Sequence, residues 1–103
     1  MGKKSRDKGS RVERSVIHLL QDNGLAAEKI SGMYRPGADI SVPVLGIDRD
    51  IEVKSRAAGF SRLYSWLEDR YALVVKADRQ EPLVIIRLRD AAQVAKIAER
   101  GRS

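Results

Sequence analysis

Gly37-Ala38-Asp39-Ile40-Ser41-Val42, followed after a short gap by Ile51-Glu52-Val53-Lys54-Ser55, decides how this chain is read. Side chains alternate faces along a strand, so Ile40 and Val42 oppose Asp39 and Ser41, and Ile51 and Val53 oppose Glu52 and Lys54. Two strands, expected over residues 38–44 and 50–55 around a turn at 46–49, would share an apolar side. Asp39, Glu52 and Lys54 would then converge on the other side. Two carboxylates at a strand pair suit Mg2+, a hard cation that takes one or two carboxylates, keeps waters and accepts phosphate oxygens. A neighbouring ammonium positions the attacking water and offsets charge developing on phosphate. Metal-dependent phosphodiester hydrolysis is the expected chemistry. Taken singly, Asp39 also reads as a turn residue and Glu52 with Lys54 as a solvated face.

A third carboxylate comes from the first helix, expected over residues 8–23 with Gly24 as its stop. At about 100° per residue, Val12, Val16, Leu19 and Leu20 form an apolar arc with Ile17 at its far edge. Glu13 falls between Leu20 and Ile17 and is the only charged residue within the arc. An acid at the margin of a buried face needs a partner, which a metal or a lysine would supply. Gly9, one turn earlier, leaves room for a phosphate backbone.

With these residues in view, the chain resembles the PD-(D/E)xK nuclease superfamily, and within it the archaeal-type and bacteriophage Holliday junction resolvases. The likeness rests on Gly9-Ser10-Arg11-Val12-Glu13-Arg14, Ser31-Gly32, Gly37-Ala38-Asp39-Ile40 and Ile51-Glu52-Val53-Lys54-Ser55 in that order. It implies that Glu13, Asp39 and Glu52, with the backbone carbonyl of Val53, serve the metal. It further implies that Lys54 serves the attacking water and that Ser31 lies in a substrate-facing loop. The implied cofactor is Mg2+, with Mn2+ as a substitute. The implied activity is the resolution of four-way DNA junctions by a homodimer. A nuclease for other branched or damaged DNA, in repair or restriction, is a second reading. A DNA-binding module without turnover is a third. The chain is short for this family, with a compact loop from Ser31 to Asp39 and one brief helix after the last strand.

The 103 residues bound the answer to one domain, expected as a flexible basic segment over residues 1–7 and a nuclease domain over 8–103. A domain of this size buries a modest share of its surface and gains from pairing. With no cysteine and one histidine, disulfides, thiolate zinc sites and histidine-rich metal sites are excluded. No apolar run suits a membrane span or a signal peptide, so an intracellular, cytoplasmic protein is expected. Residues 1–14 carry six basic side chains against two acidic ones, a local +4 within a total of +6. Lys3, Lys4, Arg6, Lys8 and Arg11 therefore suit contact with a phosphate backbone. They also suit a solvated leader.

The expected element order is α-β-β-β-α-β-β-α, an α/β fold. The resemblance implies the same layout, a restriction-endonuclease-like mixed β-sheet flanked by α-helices. A first strand is expected over residues 25–31. Pro43 is expected to weaken the end of the second. Ser61 should cap a helix reaching residue 70. Leu73-Val74-Val75 and Leu83-Val84-Ile85-Ile86 read as strands buried on both faces. Asp90 with Gln93 reads as a capping box for a last helix that turns Ala91, Val94, Ala95 and Ala98 inward. Tyr34 and Arg35, beside Asp39, read as a base-stacking and phosphate-pairing couple or as ordinary loop residues. Arg56 and Arg62 would extend the basic track. His18 reads as a surface residue, Phe60, Leu63, Tyr64 and Leu67 as a core stripe, and Trp66, off that stripe, as a partner surface.

Overall fold

A computed structural model describes residues 2–30 and 38–101, with side chains from residue 10 onward. The elements follow the expected order: α1 (Gly2–Asp22), β1 (Glu28–Lys29), β2 (Ile40–Val44), β3 (Ile47–Ile51), α2 (Ser61–Leu67), β4 (Ala72–Val75), β5 (Leu83–Ile86) and α3 (Leu88–Arg100). The fold is α/β, but the strands form two separate antiparallel sheets, β1-β2-β3 and β4-β5, rather than one mixed sheet. Among the described residues, no helix is long and apolar enough to cross a membrane.

The backbone of α1 is helical from Gly2, several residues before the expected start, so the basic segment continues the helix. Its far end is closed by a Schellman arrangement. Gly24, at φ 89°, donates to the Gln21 carbonyl at 2.9 Å, and Leu25 donates to the Leu20 carbonyl at 3.0 Å. Leu25 and Ala27 then turn into the core instead of pairing, so β1 shrinks to two residues.

The β2–β3 hairpin closes through Leu45-Gly46, with φ of 56° and 79°. Positive φ at both central residues marks the type I′ turn, whose twist matches that of the flanking strands. This tight turn starts β3 at Ile47, earlier than expected, and the strand ends at Ile51. Pairing does not fail at Pro43. The ladder runs on through Pro43–Asp48 to Val44–Ile47. β1 faces only Ile40 and Ser41, so Pro43 lies past the end of that neighbour.

Ile40 is fully buried at the centre of a core formed with Ile17, Leu20, Leu25, Ala27, Val42 and Ala92. The inward face of α3 is Leu88, Ala92 and Ala95, rotated from the expected stripe, and Val94 and Ile97 point to solvent. Neither α2 nor α3 has the expected side-chain cap: the N-cap positions are Phe60 and Arg87. Asp90 instead places negative charge in the first turn of α3. The α2 helix stops at Leu67, where Glu68 adopts φ 48°, and the Arg87 guanidinium holds the chain beyond it by donating to the carbonyls of Glu68 and Arg70.

Strands β4 and β5 are not buried on both faces. Val74 lies opposite Val84 on one face, and each is 64 % exposed. Among the described residues, no second layer covers this pair. In the α2 stripe, Leu67 is buried and Tyr64 is 76 % exposed, which splits the expected core face.

Candidate functional site

Asp39 precedes β2 and is tied to both neighbouring strands. Its carbonyl accepts the Ile30 N–H at 3.2 Å, and its own N–H donates to the Ile51 carbonyl at 2.9 Å. Ile40 is the register partner of the same Ile51. Asp39 thus lies just past the last register pair of the hairpin, where the strand ladder stops. There its carboxylate takes over, Oδ2 accepting the Val53 N–H at 2.6 Å. Asp39 therefore grips the backbone on either side of Glu52.

Past the end of β3 the alternation read from sequence persists. Ile51 and Val53 are partly buried against the core, and Glu52 and Lys54 are exposed. Lys54 Nζ lies 2.9 Å from Glu52 Oε1. Both side chains are about half exposed to water, so this pair adds little to stability. These contacts bring Asp39 against the segment that carries Glu52, Val53 and Lys54.

Glu13 stands where the helical wheel puts it, on the buried face of α1 with Ile17 and Leu20, its side chain 22 % exposed. Its partner is Lys29, at 3.7 Å. A lysine is one of the two partners that this helix position calls for, the other being a metal. Lys29 belongs to β1, opposite Ile40, and no sequence motif marks it. Its neighbour Ile30 donates its N–H to the Asp39 carbonyl.

The donor set can be weighed against the implied metal. Among the described residues, no three acidic or histidine side chains gather as a ligand group, so the three acids are not one cluster here. Asp39, with one oxygen engaged by Val53 and the other available, and the solvent-accessible Glu52 remain as two carboxylates. That number fits Mg2+, which keeps most of its water and binds phosphate oxygens.

The remaining candidates are dispersed. Arg11 is exposed on α1. Arg56 donates to the Ser55 carbonyl at 2.9 Å, and Arg62 lies 5.9 Å from the ring centre of Trp66, a cation–π contact on the surface of α2. His18 is exposed, as expected. Ser31, Tyr34 and Arg35, and the side chains of Lys3, Lys4, Arg6 and Lys8, lie outside the described residues.

Comparison with protein-family models, with curated proteins and with solved structures finds no match to this chain.

Proposed function

We propose that this protein is a Mg2+-dependent DNA endonuclease that resolves four-way junctions as a homodimer. The observation carrying the proposal is the bond from the Val53 N–H to the Asp39 carboxylate, which brings that carboxylate to the peptide beside Glu52 and Lys54. Asp39 and Glu52 would hold the metal, with the Val53 carbonyl as a further donor. Bound there, Mg2+ would supply a Lewis acid for a phosphate oxygen and a lowered pKa for water.

The protein's own groups divide the remaining work. The Val53 N–H fixes the orientation of Asp39, so that carboxylate needs no reorganisation when substrate arrives. Lys54, drawn toward Glu52, presents an ammonium at the edge of the site to orient the attacking water and balance charge on the phosphate. Glu13 and Lys29 flank the other side of β2, where the lysine can contact a phosphate and the glutamate can hold it in place. Arg11, Arg56 and the basic residues of the first turns of α1 supply backbone contacts without sequence preference.

The test is cleavage of a four-way junction against linear duplex with the same arms, with and without Mg2+. Junction cutting that needs the metal and disappears in Asp39→Asn supports the proposal. Junction binding without cutting in any divalent metal would instead establish a binding module. That second reading draws on the ion pairing of Glu13 with Lys29 and of Glu52 with Lys54, which gives both acids a partner without a metal.

A further inference from the structure

Beside the Asp39 segment lies a cleft of about 450 Å3 between α1, the chain after β3 and α2. Val12, Lys54, Arg56, Phe60 and Tyr64 contribute to its walls. Two cations and two aromatic rings thus share one hollow, and none of the described residues lining it is acidic. Its volume lies within the range of about 300–1,000 Å3 common for small-molecule sites. Phe60 and Tyr64 stand one helical turn apart and also border a second hollow. That one is lined by Leu63, Leu67, Ile85 and Ile86 and carries both Glu68 and Arg87. The two hollows therefore differ in chemistry: the first carries two cations and no acid, the second is mostly apolar with one acid and one cation.

We infer that the cationic cleft seats one unstacked nucleotide of a DNA strand, its base against Tyr64 and its phosphate against Lys54 and Arg56. Aromatic rings take any base through its π-face, and Lys and Arg make charge-assisted bonds to phosphate. Tyr64, 76 % exposed, has ring surface available for such stacking. A base inside an intact duplex cannot present its face to a side wall, because its neighbours already cover it. The cleft thus selects strands with a base out of the stack, as at a branch point, a gap or a single-stranded end. This deepens the nuclease reading and rests on it for DNA as the substrate. Lys54 links the two, since it lines the cleft and pairs with Glu52.

The experiment uses the full chain in EDTA with two probes. One is a short single-stranded oligothymidylate carrying one 2-aminopurine, and the other is a blunt linear duplex. Tyr64→Ala should weaken single-strand binding about tenfold and relieve the quenching of 2-aminopurine, while Tyr64→Phe stays within about twofold of wild type. Duplex affinity should be unchanged in both variants. Wild-type single-strand affinity in Tyr64→Ala, or equal losses on both probes, would overturn the inference. Cleavage in Mg2+ is scored separately. If wild type cuts no DNA while the Tyr64 effect holds, the nuclease reading fails and the nucleotide cleft stands. Metal-dependent cutting without a Tyr64 effect removes the cleft and keeps the nuclease.

Discussion

The Asp39 carboxylate accepts the Val53 peptide N–H at 2.6 Å, beyond the last register pair of β2 and β3. A side-chain oxygen there does the work of a strand carbonyl. The bond joins the two motifs on which the functional reading depends, so structural and chemical roles of Asp39 must be separated by the choice of substitution.

Asp39→Asn keeps an acceptor for Val53 but loses the charge, whereas Asp39→Ala loses both. Hydrogen bonds to charged groups are worth about 1.5–3 kcal/mol, so the alanine variant should lose stability on that scale and the asparagine variant less. Both should lose cleavage and keep DNA binding, as should Glu52→Gln. Thermal denaturation and gel-shift titration measure the two effects. Near-normal turnover of Asp39→Asn in Mg2+ would remove the aspartate from the chemistry.

Lys54→Ala should lower kcat strongly with a smaller effect on DNA affinity, since an ammonium aimed at water or the transition state acts on rate. Stability should change by less than about 1 kcal/mol, because its ion pair with Glu52 is solvent-exposed. Losses that are equal in Kd and in rate would make Lys54 a phosphate ligand only.

Deleting residues 2–7 shortens α1 and removes Lys3, Lys4 and Arg6. Binding should weaken, and the slope of log K against log salt should fall by about 0.9 for each phosphate no longer neutralised. An unchanged slope would assign these residues to solvation alone.

These outcomes bear on how much can be read from sequence. The order of elements is legible because Gly24, the alternation around Asp39 and Glu52, and the apolar runs at Leu73 and Leu83 are local signals. The face of Glu13 is legible for the same reason. The bond from Val53 to Asp39 is not, because it depends on the hairpin register, and that is set by Leu45 adopting positive φ, a conformation leucine rarely takes. The exposure of Val74 and Val84 is hidden because an apolar run reports the preference for burial and says nothing of whether a second layer exists. Lys29 escapes notice because a short strand of two charged residues carries no periodicity.

Leu45 offers a test of that turn. A left-handed conformation costs a leucine about 1–2 kcal/mol, and glycine or asparagine relieves it. Leu45→Asn should therefore raise stability by about 0.5–1 kcal/mol with cleavage unchanged, as read by chemical denaturation. The Leu45 N–H bond to the Glu99 carboxylate uses only the backbone of residue 45 and survives the change. A destabilised variant would mean that the leucine side chain contributes more than its backbone strain costs.

The proposed homodimer has exposed apolar side chains to use, among them Val74 and Val84, which face each other on the small sheet. Sedimentation at micromolar concentration should give the mass of two chains, and Val84→Asp should shift it toward one. A wild-type monomer that makes both incisions in a junction at full rate would overturn the dimer.

The hold of α3 on the rest of the protein has a consequence for the order of folding. Lys96 donates to the Gly24 carbonyl at the end of α1, and Glu99 accepts from Leu45 in the hairpin turn. Those bonds close loops of 72 and 54 residues, whereas the two hairpins pair neighbours. Chain entropy favours the short closures first. The hairpins should thus form early and wait for α3, so that amide protons of α3 exchange through partial opening while those of β2 exchange only when the whole chain unfolds.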